Sequence, residues 1–414
     1  MTALFPLPDP GPAALRPEVD FCLTLGRSLQ RYGIPAHRFE VVMSRICTRL
    51  GLQGQFFAQP TAFFASITRP GGRNRTYLER SASTDVDLGR LTEIQGITDG
   101  LIEERLGIAE ARLALARVVE APDRYSPILA ALSYGVAVGA AVPFLGGGWR
   151  EMAVTGAVGL VVGLLGMILG PRPLLGRLFY VAGAFLAALT SIVGVHLLPG
   201  TSPLVVTAAS LLPLIPGLRL IISMNELATG HLVAGTARLT DSAMIFLQLA
   251  FGVALGQKML GAWLLAALHT VPRPLAPAWM VACLLLTAAA FVVLFKARPR
   301  DYGWVALACT LSFLGGKLGT NLMGPECGMG FGAFVLGAGG NLLARYKRIP
   351  GVVTILPGLM LLVPGSMGLR SLSFIIQKQL MTGLDTAFQV VFIAIALMTG
   401  LLLAHAMVPS RTEL

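Results

Sequence analysis

MAVTGAVGLVVGLLGMIL, Met152 to Leu169, runs for 18 residues without a charge. At 1.5 Å per residue a helix of that length covers most of a hydrocarbon core roughly 30 Å thick. Comparable runs surround it: Pro127–Leu145, Leu178–Leu198, Pro203–Met224, Ser242–His269, Pro277–Phe295, Gly303–Met323, Gly328–Ala344, Val352–Leu372 and Leu384–Met407. With 55% hydrophobic residues, 13% charged and a mean hydropathy of +0.73, the chain is too apolar for a soluble protein of 414 residues. The expected fold is an all-α polytopic membrane protein of about ten transmembrane helices, whose lipid bilayer replaces water as solvent. Glycines recur at small-xxx-small spacing, as in Gly135/Gly139, Gly159/Gly163, Gly252/Gly256, Gly315/Gly319 and Gly328/Gly332, which suits close helix packing in lipid.

The formal charge of +11 does not mark a nucleic-acid binder. Before Pro127 there are 15 Arg/Lys against 14 Asp/Glu, net +1; from Pro127 on there are 17 against 7, net +10. The excess therefore lies in loops between apolar helices, where the positive-inside rule puts it. Expected inner loops carry Arg172, Arg177, Arg219, Arg238, Lys296, Arg298, Arg300, Arg345, Lys347 and Arg348; expected outer loops carry only Arg150, Arg273, Arg370 and Lys378. This bias predicts a multi-pass protein of the inner (plasma) membrane with both termini cytoplasmic.

Upstream of the spans the pattern changes. Residues 1–20 hold five prolines and no apolar core, and read as a disordered tail rather than a signal peptide. Residues 21–125 read as a small cytoplasmic α+β domain. Phe21, Leu25, Leu29, Val42, Ile46 and Leu50 mark two amphipathic helices interrupted at Gly33 and Pro35. Gln55–Thr68 and Arg75–Arg80 mark a hairpin or small sheet, and Asp87–Val119 one long amphipathic stretch. Cys22, Cys47, Cys283, Cys309 and Cys327 have no C-x-x-C spacing and no histidine at ligand distance, so neither metal nor other cofactor is expected.

The ten spans divide into two fives, 127–269 and 277–408. The fourth helix of each five is broken by proline and glycine: Pro213-Leu214-Ile215-Pro216-Gly217 in the first, Pro357-Gly358 and Pro364-Gly365 in the second. Five is odd, so consecutive halves enter the membrane in opposite senses. Two inverted five-helix repeats with paired broken helices are the layout of many secondary transporters, although Pro-Gly pairs also occur as ordinary kinks.

Several segments together resemble the threonine/serine exporter (ThrE) family: Gly33 with His37-Arg38-x-Glu40 and Leu50-Gly51, then Tyr125-Ser126-Pro127, Gly146-Gly147-Gly148-Trp149, Leu211–Gly217 and Leu361-Leu362-Val363-Pro364-Gly365. The resemblance runs from about Phe21 to Val408. It implies export of small hydroxy amino acids, threonine and serine, energised by the proton gradient. It supplies no binding motif.

Candidate site residues come from the polar groups of the spans, because an ionisable group at the bilayer centre costs at least about 2.5 kcal/mol. Lys317 with Asn321 one turn on, the broken helices at Pro216, Gly217, Pro364 and Gly365, and Asn225 are the candidate substrate ligands. A zwitterion needs a cation or helix N-terminus for its carboxylate, and freed carbonyls for its ammonium. Glu226, Glu326 and Asp241 are the candidate proton carriers, with Asp241 also readable as a helix N-cap after Arg238-Leu239-Thr240. Lys317 can instead snorkel. Expected partners are the amino acid and the bilayer; a homo-oligomer stays open. The alternatives are a membrane-anchored hydrolase and a regulatory scaffold. His37, Ser28, Asp85 and Asp99 lie in the soluble domain, but Gly26-Arg27-Ser28-Leu29-Gln30 is no nucleophile elbow, and no nucleotide loop occurs.

Overall fold

The computed structural model describes residues 16–69, 71–81, 86–170, 172–259, 273–347, 351–363, 367, 371 and 380–409. They form two units. One holds the described residues before Val86 together with Glu93–Ala121; the other holds Val86–Thr92 and the described residues from Pro122 on.

The first unit opens with α1 (Pro17–Arg31) and α2 (Ala36–Arg49), separated by Gly33 at φ 87° and by Pro35, which is the N-cap of α2. Strands β1 (Gln53–Gln59), β2 (Ala62–Thr68) and β3 (Arg75–Arg80) follow as an antiparallel sheet in that order. The aromatic run Gln55–Thr68, expected to belong to a hairpin or small sheet, turns back at Pro60-Thr61 and makes two strands, since a proline has no N–H for the ladder. Alternate residues of β2 then face opposite ways, with Phe63, Ala65 and Ile67 buried and Phe64 exposed. Phe63 packs 5.1 Å from the ring of Phe39 in α2.

The stretch Asp87–Val119 is likewise two helices, α3 (Leu88–Ile102) and α4 (Ile108–Glu120). The N–H groups of Arg105 and Leu106 both fold back on the Gly100 carbonyl, Glu104 takes φ 61°, and Glu110 caps the new start by accepting the Gly107 N–H at 3.1 Å. Local hydrogen bonding thus overrides a continuous apolar stripe.

The second unit is helical throughout: α5 (Pro127–Ala141), α6 (Trp149–Leu169), α7 (Pro173–Gly176), α8 (Phe179–Leu197), α9 (Pro203–Ser210), α10 (Gly217–Ala228), α11 (Leu232–Met259), α12 (Pro277–Leu294), α13 (Tyr302–Met323), α14 (Pro325–Lys347), α15 (Gly351–Leu362) and α16 (Leu380–Met407). Ser126 starts α5 by accepting the Leu129 N–H at 3.2 Å. Small residues then set the spacing. A Cβ on Gly135 would stand 2.8 Å from Gly156 O, on Gly256 2.9 Å from Ala188, and on Gly315 3.1 Å from Gly332, which pairs α5 with α6, α11 with α8 and α13 with α14.

Among the described residues seven helices are long and apolar enough to cross a membrane, or eight if α9 and α10 form one bent span, against the ten expected. The shortfall falls on two places. Helix α13 has 22 residues, but Lys317, Asn321 and four glycines lower its hydropathy. Helix α15 has 12, and the rest of its expected span lies largely outside the described residues. Asp241 is no N-cap: α11 starts nine residues earlier, because Leu232–Thr240 holds no residue that stops a helix.

Candidate functional site

The first break has the geometry that its prolines require. Helix α9 ends at Ser210, a turn of 3-10 helix spans Leu212–Leu214, and α10 departs at 55°. Pro213 and Pro216 bring no N–H, so carbonyls of the preceding turn need other donors. Tyr134 of α5 supplies one, its hydroxyl donating to Ser210 O at 3.3 Å. The start of α10 has no side-chain cap, and Gly217 and Leu218 there are buried. Its first N–H groups therefore form a positive helix end inside the protein.

This break separates two apolar cores. Val206, Leu211, Leu214 and Ile215 pack with Tyr134, Val138, Val154 and Leu249 of the first half. Six residues beyond, Ile221 packs instead with Ala308, Leu336, Ile355, Leu359 and Leu362 of the second. At the crossing, Gly217 lies so near the side chain of Val363 that no Cβ fits between them. Val363 follows the end of α15 and precedes Pro364-Gly365, which lie outside the described residues. Pro357, by contrast, is carried inside α15 without ending it, so the expected break at Pro357-Gly358 is absent.

The candidate ionisable groups are distributed unevenly. Glu226 is 0% exposed, and Arg238 Nε of α11 stands 3.2 Å from its Oε1 and 3.1 Å from its Oε2. Asn225 beside it is half-buried. Asp241 is exposed and paired with Arg219 of α10 at 3.0 Å. Glu326 is half-buried in the first turn of α14. Lys317 and Asn321 share one face of α13, as their spacing requires, but that face is exposed; Ser312, Gly315, Gly316 and Gly319 form the buried one. The Lys317 ammonium lies 6.0 Å from the centre of the Phe313 ring.

Beside Asp87, two buried carboxylates of the second unit, among the described residues, were not singled out from the sequence. Glu151 in the first turn of α6 is 2% exposed; its Oε2 accepts the Gly148 N–H at 2.9 Å and its Oε1 the Ser202 N–H at 3.1 Å. Asp301, at the start of α13, is gripped by Arg298 at 2.8 and 3.1 Å. An acid three residues into a helix is a capping signal, but its burial depends on contacts distant in sequence.

At the other end of α5 and α12 lies a polar collar. Tyr125 donates to Ala297 O at 2.7 Å, Lys296 pairs with Asp123 at 3.0 Å, and Leu88 N–H reaches Phe295 O at 2.9 Å. Burial pushes the Asp87 carboxyl above its ordinary range, against the Arg90 N–H bond and the cations of Arg90, Lys296 and Arg124. Ser28 in the first unit donates to Thr24 O, and among the described residues no His, Cys, Asp and Glu cluster is arranged for a metal.

Two family models match the chain, one after the other. The threonine/serine exporter model ThrE matches residues 20–260, more than half the chain, and a second model, described as Threonine/Serine exporter, ThrE, matches 280–407. The chain belongs to the threonine/serine exporter family. Relatives of this exporter-family chain include Pheromone-regulated membrane protein 10 of Candida albicans (strain WO-1), 26% identical over 389 residues, covering 89% of this chain and 34% of the relative. The protein of that name from Saccharomyces cerevisiae (strain YJM789) is 26% identical over 387 residues, covering 90% and 48%. The chain thus spans less than half the length of these curated relatives. No solved structure matches it.

Proposed function

We propose that this membrane protein is a secondary exporter of threonine and serine, driven by the proton gradient across the plasma membrane. It works as ten spans in two inverted halves, 127–269 and 277–408, with both termini cytoplasmic. The observation that carries this reading is the contact of Gly217, at the break between α9 and α10, with Val363, just past the end of α15, at the boundary between two separate cores. Carriers bind substrate at such breaks because unwound backbone offers N–H groups and carbonyls that regular helix withholds.

Two further relations support inversion. The first helices of the halves, α5 and α12, run antiparallel: Tyr125 bonds Ala297 past one end, and Trp149 stands 5.0 Å from Trp279 at the other. The third and fifth helices pair through small residues in each half, Gly252 and Gly256 of α11 on α8, and Gly400 of α16 on Gly330 of α14.

In this reading Pro216, Gly217 and Asn225, with Pro364 and Gly365, line the pocket. The N-terminus of α10 takes the substrate carboxylate, and carbonyls freed by the prolines take its ammonium. Of the three sequence candidates for proton binding, Glu226 is buried on the same helix and paired with Arg238, and Asp241 and Glu326 are more exposed. Efflux from cells loaded with a threonine-containing dipeptide tests the function. Cells lacking the protein should retain more threonine and serine, and a protonophore should abolish the difference. Efflux that follows ATP depletion while the gradient is held would overturn it.

A further inference from the structure

Each half of the second unit buries a carboxylate where its second helix begins. In the first it is Glu151, in Arg150-Glu151; in the second it is Asp301, in Arg300-Asp301. Their surroundings differ in one decisive respect. Asp301 is clamped by the Arg298 guanidinium through two bonds, so its negative charge is held by a fixed cation. Among the described residues Glu151 is held by two backbone N–H groups and by no cationic side chain.

Those two N–H groups have different owners. Gly148 is the N-cap of α6, the helix of Glu151 itself; Ser202 is the N-cap of α9, the first part of the bent span. The carboxylate therefore joins two helix N-termini and is stabilised by the positive ends of both. Arg150 adds a tie from α6 to the connection that precedes α9, donating to Pro199 O at 2.8 Å. Below them Val142, Val205 and Ala209 form a small apolar core that keeps the joint dry.

We propose that Glu151 binds the coupling proton, and that its protonation releases the N-terminus of α9. This rests on the exporter reading above. As a carboxylate, Glu151 accepts from both helix ends. Once a proton adds to one oxygen, the charge that favoured both N–H groups is gone and the tie between α6 and α9 weakens. The residues so freed lead through α9 to the break at Pro213–Gly217. Glu226 and Asp241 differ from Glu151 in that each is already paired with an arginine, Arg238 and Arg219. The other charged or titratable groups toward this end, among the described residues, include Arg150, turned to Pro199 O; Arg273, exposed, whose carbonyl closes on Gly148; His196, exposed and bonded to Ile192 O; and Lys258, in the last turn of α11. Elements α5 and α9 bring only apolar and neutral groups to the joint.

Purified full-length protein in liposomes separates the possibilities. Wild type should carry out threonine–threonine exchange without a gradient, and should accumulate threonine against its concentration difference when a pH gradient is imposed. Glu151→Gln should keep exchange within about twofold and lose gradient-driven accumulation, with a flattened pH profile. If Glu151→Gln does not fold, Glu151→Asp takes its place and should shift the midpoint of the pH profile while retaining exchange. Full gradient coupling in Glu151→Gln, loss of exchange in a folded Glu151→Gln, or an unshifted profile in Glu151→Asp each overturns the assignment. Absence of threonine transport by wild type overturns the exporter reading instead.

Discussion

Gly217 touches Val363: the first residue of α10 lies against the residue that follows the end of α15, at a point where only a hydrogen fits. The contact joins the core around Leu214 and Ile215 to the core around Ile221 and Leu362.

Gly217→Val adds a branched side chain at this point and should destabilise the protein by about 1–3 kcal/mol, the usual cost of overpacking. Efflux should fall more than membrane abundance does. Val363→Ala in the same chain should restore much of both, and absence of any rescue would show that the contact does not limit transport. Abundance by immunoblot and dipeptide-loaded efflux measure the two effects.

Removing one partner of a buried ion pair leaves the other charge without compensation, at a cost of about 3–5 kcal/mol. Arg238→Met should therefore lower the denaturation midpoint of the purified protein sharply, because Glu226 is fully buried. Arg238→Met with Glu226→Gln should recover most of the loss. An Arg238→Met protein as stable as wild type would mean that other groups neutralise Glu226.

Lys317 sits on the exposed face of α13, beside Phe313. Lys317→Met should leave abundance and threonine efflux within about twofold of wild type. Complete loss of efflux at normal abundance would return Lys317 and Asn321 to the substrate pathway.

The Asp87 carboxyl is raised by burial, so the folded protein holds its proton more tightly than the unfolded chain does. Its contribution to stability is fully present below the unfolded value of about 4 and is lost as pH rises through the folded value. Thermal midpoints measured from about pH 4 to pH 7 should show this loss in wild type. They should not show it in Asp87→Asn, which also keeps an oxygen for the Arg90 N–H that Asp87 caps.

Much of this was legible in the order of residues. Length and apolarity identify the membrane helices, since a bilayer imposes a length that a run either meets or does not. Glycine spacing foretold which faces approach closely, and two prolines within four residues fixed the break at Pro213–Gly217, because a missing donor is a local property. The capped restart at Gly107 and the turn at Pro60 were also local, but weaker than the apolar periodicity around them. Other features belong to no segment alone. Burial of Glu151 needs the N-cap of a helix 51 residues away, the Glu226–Arg238 pair needs α10 folded back on α11, and contact between Gly217 and Val363 needs both halves assembled. The exposure of Lys317 was decided the same way: its spacing with Asn321 set which face they share, and only the packing of α14 and α15 on the opposite, glycine-lined face determined that this one points outward.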